Sequence, residues 1–312
     1  MLSRTASNLY WIARYMERAE FTSRLVEATL RLASISTSAA AERSALESAL
    51  IAADAGKAFR STGQDLTAAN VSRYLMLADE NRSSVRSCVG SARDNARAAR
   101  NAITSETWEA INRAWLNLLS QSDPSRTLND TQLIEAVTAS SRAFEGALSR
   151  MLRREAYWFL RLGSAIERGD NTARLLDVKY YLLLPEGERV GGTLDRDQWT
   201  TILQTFSARN AYRLVYREGL KPWLVADLLI FRRELPQSIA RSCQETLELL
   251  AELGVSTGMQ GVADRLARHR EGQLASSDID QVFRSGLHEF LQQYIRDNAA
   301  LDNAIAEQFR FG

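Results

Sequence analysis

Residues 17–27 of this 312-residue chain, Glu-Arg-Ala-Glu-Phe-Thr-Ser-Arg-Leu-Val-Glu, return 150 positions later as residues 167–177, Glu-Arg-Gly-Asp-Asn-Thr-Ala-Arg-Leu-Leu-Asp. Glu17/Glu167, Arg18/Arg168, Thr22/Thr172, Arg24/Arg174 and Leu25/Leu175 are identical, and Glu20/Asp170 and Glu27/Asp177 both keep an acid. A repeat this long is no solenoid period, so it reads as one structural unit doubled. The expectation is two related units, approximately 1–150 and 151–312, sharing one core across a pseudo-two-fold within a single domain.

The repeated segments are helical in pattern. Leu9, Ile12, Met16, Ala19, Ser23, Val26 and Leu30 recur at steps of three and four. Adding 150 gives Phe159, Leu162, Ile166, Gly169, Ala173, Leu176 and Tyr180. Each set is a stripe that must be buried against other helices. Small residues in both (Ala19, Ser23, Gly169, Ala173) predict a closely approaching neighbour. With four prolines in the chain and no sustained apolar–polar alternation, the fold class is all-α, a bundle of two duplicated helical units. Each unit reads as a long opening helix, a second helix, a short partly irregular stretch and a further long helix. Asn210–Arg213 answers Gly56–Arg60, Leu228–Ile230 answers Leu75–Leu77, and Ser238–Cys243 resembles Ser84–Cys88 with one residue inserted. Asp123-Pro124 stops one helix, and Asn129 or Asp130 can cap the next. The loop 184–192 follows the second opening helix.

Charge narrows the function classes. Thirty-nine basic residues face 38 acidic ones, a net charge of +1, which gives no general attraction for nucleic acid or an anionic membrane. Cys88 and Cys243 are too few for a disulfide scaffold. No apolar run opens the chain like a signal peptide, and none is long enough to span a membrane. The expected setting is soluble and cytoplasmic. No Walker-type, Gly-x-Gly-x-x-Gly or Gly-x-Ser-x-Gly motif exists, so no cofactor is expected. A di-iron carboxylate bundle needs Glu-x-x-His on two helices, and neither His269 nor His288 has an acid three residues before it. Binding of Mg²⁺ by oxygens alone stays open.

The chemistry-bearing residues lie on the opening helices. Tyr10, Glu17 and Arg24 align at steps of seven, with Glu20 and Glu27 between them and the apolar stripe; Arg14 and Arg18 share this part of the helix. Glu167, Asp170, Arg174 and Asp177 repeat the ridge, beside Arg161 and Arg168. One reading is a ladder of ion pairs, of which Glu20 with Arg24 is an i, i+4 example. The other is a polar pocket formed where the two ridges meet, able to hold a metal, a substrate amine or a partner's cation. On either reading Glu17, Arg24, Glu167 and Arg174 should be shielded and in cross-helix contact.

Leu2-Ser3-Arg4, Asn8-Leu9-Tyr10-Trp11, Arg14-Tyr15-Met16-Glu17-Arg18-Ala19-Glu20 and Thr22-x-Arg24-Leu25 resemble the opening signature of the bacterial alpha-E family, all-helical and of unknown function. Trp158-x-x-Arg161-Leu162-Gly163 and Glu167-Arg168-x-Asp170-x-Thr172-x-Arg174-Leu175-Leu176-Asp177 resemble its second signature. Phe21 stands where the family's first pattern has Asn, which puts a catalytic amide at that point in doubt. The resemblance implies a circularly permuted ATP-grasp protein as partner, often with a transglutaminase-like protein nearby. The implied function is a helical accessory subunit of an amide- or peptide-ligase system, binding the ligase or its amine or peptide substrate. The alternative is an enzyme in its own right, using paired carboxylates for acid–base or metal-assisted chemistry.

Overall fold

The computed structural model describes residues 1–35, 38–121, 130–181 and 192–311. The break at 123–129 and the loop over 184–191 lie outside these residues. Those described form fifteen α-helices and no strand. The first half runs α1 (Ser3–Ile35), α2 (Ala39–Ala52), α3 (Gly56–Ser61), α4 (Ala68–Leu77), α5 (Val85–Ala98), α6 (Ser105–Gln121) and α7 (Asp130–Ser149). The second runs α8 (Glu155–Tyr181), α9 (Thr193–Thr205), α10 (Arg209–Tyr216), α11 (Pro222–Phe231), α12 (Ile239–Thr257), α13 (Val262–Ala275), α14 (Ile279–Ser285) and α15 (Leu287–Gln308).

The expected stretch between the second and the long helix of each half is in fact a pair of short helices, α3 with α4 and α10 with α11. Further helices follow the long one, α6 and α7 in the first half and α13 to α15 in the second. Their amphipathic patterns are carried outside the repeated motif, which is why the four-element reading fell short. Ser84 and Ser238 are the N-caps of α5 and α12, accepting hydrogen bonds from the backbone N–H of Ser87 and Arg241. A capping hydroxyl satisfies one of the orphan donors of a helix start.

The two apolar stripes explain the packing. Leu9, Ile12, Met16, Ala19 and Val26 of α1 are buried, as are Phe159, Leu162, Ile166, Ala173 and Leu176 of α8. The long helices α1 and α8 pack on each other at the centre; α5 and α7 cover α1, while α12 and α15 cover α8. The second helices cross over, so that α2 also lies against α8 and α9 against α1. Two apolar clusters result, and each draws side chains from both halves.

Glycines set two close approaches. A Cβ on Gly163 would lie inside the van der Waals envelope of the Tyr10 carbonyl oxygen, so the α1 and α8 backbones touch there. A Cβ on Gly169 would collide with the Tyr294 hydroxyl of α15 and crowd Ser242 of α12. Gly169 meets the predicted close neighbour. The α1–α8 contact itself falls at Gly163, one helical flank away from the stripe.

Candidate functional site

Where α1 crosses α8, the two Glu-Arg dipeptides exchange partners. Arg18 donates from Nε to Glu167 Oε1 (2.6 Å) and from Nη2 to Oε2 (3.0 Å). Arg168 donates from Nε to Glu17 Oε1 (3.2 Å) and from Nη2 to Oε2 (3.0 Å). Both are forked guanidinium–carboxylate pairs, a geometry that lysine cannot supply. The recurrence at an offset of 150 thus has a physical counterpart: each copy completes the other's ion pair.

The two halves of the exchange are unequal. Glu167 is 1% exposed and accepts a third bond from Arg14 Nε (2.8 Å). Arg14 in turn places Nη1 2.5 Å from Asp302 Oδ2 and lies 4.8 Å from the Trp11 ring centroid. Tyr10 donates its hydroxyl to Asp302 Oδ1 (2.5 Å). Burial pushes the Glu167 carboxyl up, but Arg18 and Arg14 outweigh it and hold the group at about 2. Glu17 has Arg168 alone, and Arg168 also leans on Glu245 (3.5 Å). For Glu17 burial prevails over Arg168, and the nearby Glu20 and Glu145 push the same way, so its carboxyl is raised. Equivalent residues of the repeat therefore hold opposite protonation tendencies.

Glu17 faces a cavity of about 280 Å³ between α1, α7 and α8. Glu20, Arg24, Arg161 and Arg168 also line it. Arg24 forks onto Glu20 Oε1 (2.9 and 2.7 Å) and reaches Ser207 Oγ (2.8 Å), while Ser141 donates to the other Glu20 oxygen. Arg161 binds Glu145 (2.8 Å) and Glu245 (2.9 Å). Two groups in the lining are left over. Asn171 is 6% exposed, and its Nδ2 donates to no described residue. Arg142 is exposed and forms no ion pair among the described residues. Past Arg24 and Arg142 the cavity continues as a cleft of about 430 Å³ that adds Glu27, Arg31 and Glu135.

The structure brings together only part of the expected ridge. Glu17, Glu20, Arg24, Arg161 and Arg168 line the cavity. Tyr10, Arg14, Arg18 and Glu167 form the buried cluster behind it. Asp170 pairs with Arg174 (2.7 Å), which also lies 3.6 Å from Asp54. Asp177 accepts from Gln292 Nε2 (2.6 Å) and sits 2.6 Å from His288 Nδ1. The second ridge thus diverges from the first after Arg168, so a single pocket between two full ridges is incorrect. The four shielded residues divide likewise: Glu17 and Glu167 pair with arginines across helices, whereas Arg24 and Arg174 take the acid four residues back on their own helix and reach beyond it to Ser207 and Asp54. The reason is register. Each Arg finds an acid within ion-pair distance one turn back on its own helix.

Sequence reasoning missed Asn171, Arg142, Glu145, Glu245, Asp302 and His288. Asn171 was visible as the counterpart of Phe21 and as the family's missing amide. The others lie on α7, α12 and α15, outside any motif, and no local signal marks them. The thiols offer no nucleophile: burial pushes Cys88 up to about 12, with Arg18 opposing and Glu167 adding to the rise, and Cys243 is raised by burial as well. Among the described residues no group of three or more His, Cys, Asp or Glu is placed to hold a metal ion, and no helix is long and apolar enough to cross a membrane.

No curated protein and no solved structure matches the chain. Residues 1–309 match Alpha-E, described as "a predicted alpha-helical domain with a conserved ER motif". Over that span the chain belongs to the alpha-E family.

Proposed function

We propose that this chain is a ligand-binding helical subunit of an ATP-grasp amide- or peptide-ligase system, and that the cavity beside Glu17 receives the ligase's amine- or peptide-bearing substrate. One observation carries the reading: Asn171, in the cavity lining, is buried and its Nδ2 has no partner among the described residues. A buried amide donor without a partner costs about 1–3 kcal/mol, a cost that an acceptor on a ligand would remove. A peptide carbonyl or carboxylate does so. Arg142 offers a second handle for the same oxygens, and Glu17, Glu20 and Glu145 suit an ammonium. The ATP-grasp partner comes from the family resemblance and is an inference by association. The matching helix order of the halves and the reciprocal Glu-Arg pairs support the doubled-unit reading. The runner-up is catalysis by the chain itself, favoured by the raised Glu17 carboxyl, since a carboxyl titrating nearer neutrality suits acid–base work.

Co-expression with a circularly permuted ATP-grasp protein encoded beside this chain separates the two. A stable complex is expected, with ATP consumption against a panel of amines and amino acids rising at least tenfold when this chain is added. Turnover by the isolated chain, with no dependence on the ligase, would favour the catalytic reading and overturn this one.

A further inference from the structure

On α13, far along the chain from the cavity residues, Arg270 is 6% exposed and has no ion-pair partner among the described residues. Its Nη1 donates to Asn298 Oδ1 (3.0 Å), and its guanidinium carbon lies 4.4 Å from the Tyr294 ring centroid. Its Nε and Nη2 donate to no described residue. Both of these neighbours are neutral, and the acid that acts on the cation, Asp297, does so without a direct ion pair. Buried arginines are ordinarily paired, because the desolvation of a guanidinium is offset only by an anion held close. The surroundings are fixed in place: Asn298 is itself tied to the Ile166 carbonyl of α8 (3.1 Å), and Tyr294 is held where Gly169 leaves it room.

Arg270 and Tyr294 line a cavity of about 250 Å³ together with Gln273, Ser276, Ser277 and Gln293. This is small for an extended ligand and ample for one anionic group. The side-chain amides of Gln273 and Gln293 supply further donors, whereas Ser276 and Ser277 already donate their hydroxyls to the Gln273 carbonyl (3.0 and 2.7 Å). Asp297, also in the lining, accepts a hydrogen bond from Gln293 Nε2 (2.8 Å) and forms no ion pair with Arg270. We infer that this cavity is an oxyanion site, in which Arg270 binds the carboxylate or phosphate group of a small ligand through the donors left idle in the free protein. A planar fork of N–H donors beside side-chain amides is the chemistry that recognises such groups. This site is separate from the one beside Glu17 and stands whether or not that reading holds.

Calorimetric titration of the full chain, purified free of phosphate, with inorganic phosphate and separately with succinate tests it. At least one of the two is expected to bind saturably at a single site. Arg270→Gln is expected to weaken that binding at least tenfold, and so is Ser277→Glu, which places a like charge at the exposed lip of the cavity. Glu17→Gln should leave it unchanged. Preference for phosphate would assign the ligand as a phosphate ester, and preference for succinate as a carboxylate. Failure of both anions to bind saturably overturns the inference, as does binding that survives in both variants. Should Arg270→Gln not fold, Ser277→Glu alone decides.

Discussion

Replacing Glu167 by glutamine is expected to lower the melting temperature by roughly 5–15 °C, whereas the equivalent change at Glu17 lowers it by only a few degrees. The contrast follows from the unequal exchange. Glu167 is the shared anion of Arg18 and Arg14, both in forked or short contacts and largely withdrawn from water. Removing its charge leaves Arg18 without an acid and Arg14 with Asp302 alone, and breaking a buried pair costs on the order of 3–5 kcal/mol. Glu17 serves Arg168 alone, Arg168 retains Glu245, and burial already disfavours the ionised Glu17 carboxyl. The same asymmetry sets the acid limb of stability. The folded Glu167 carboxyl titrates near 2 against an ordinary value of 4.5. Its contribution is therefore complete above about pH 4.5 and is lost as the pH falls from there towards 2, a loss on the order of 3 kcal/mol. Glu17, being raised, contributes in the opposite sense: its protonated form is favoured by folding, so it adds nothing to acid unfolding. Melts of wild type and Glu167→Gln between pH 2 and 7 should draw together towards the acid end. Parallel curves would show that Glu167 is not the group responsible.

Gly163→Ala is expected to cost about 3 kcal/mol, although alanine is the better helix former by about 1 kcal/mol. The added methyl has no side chain to push aside. It meets the main-chain carbonyl of Tyr10, so α1 and α8 must part along the seam that registers both Glu-Arg pairs. Gly146→Ala on α7 is the matched control, since a Cβ there meets nothing within 4 Å. It should leave the melting temperature unchanged or raise it slightly. Equal behaviour of the two variants would mean that the seam is not a close backbone contact.

Much of the fold was legible because it is written in periodicity. The stripes of α1 and α8 are read from residue types alone, and their burial follows from amphipathicity. Ser84 and Ser238 could be matched across the halves, as could the short helices after residues 55 and 208. What did not show was where the two ridges part. That depends on a crossing fixed by Gly163, and on acids from α7, α12 and α15 (Glu145, Glu245, Asp302) that are brought in by tertiary packing. Asn171 illustrates the limit from the other side. Its chemistry was on the page, but its lack of a partner is a property of three helices and of no sequence window.

The central claim is that the cavity beside Glu17 is kept for a ligand and not for the fold, and Asn171→Leu tests it most directly. Leucine nearly conserves the volume and removes a buried donor that no described residue satisfies. Measured on one preparation, the melting temperature of the variant should equal or exceed that of wild type, while its stimulation of ATP turnover by the proposed ATP-grasp partner falls at least tenfold. A variant that melts several degrees lower yet stimulates like wild type would show that Asn171 serves the structure, and would contradict the account.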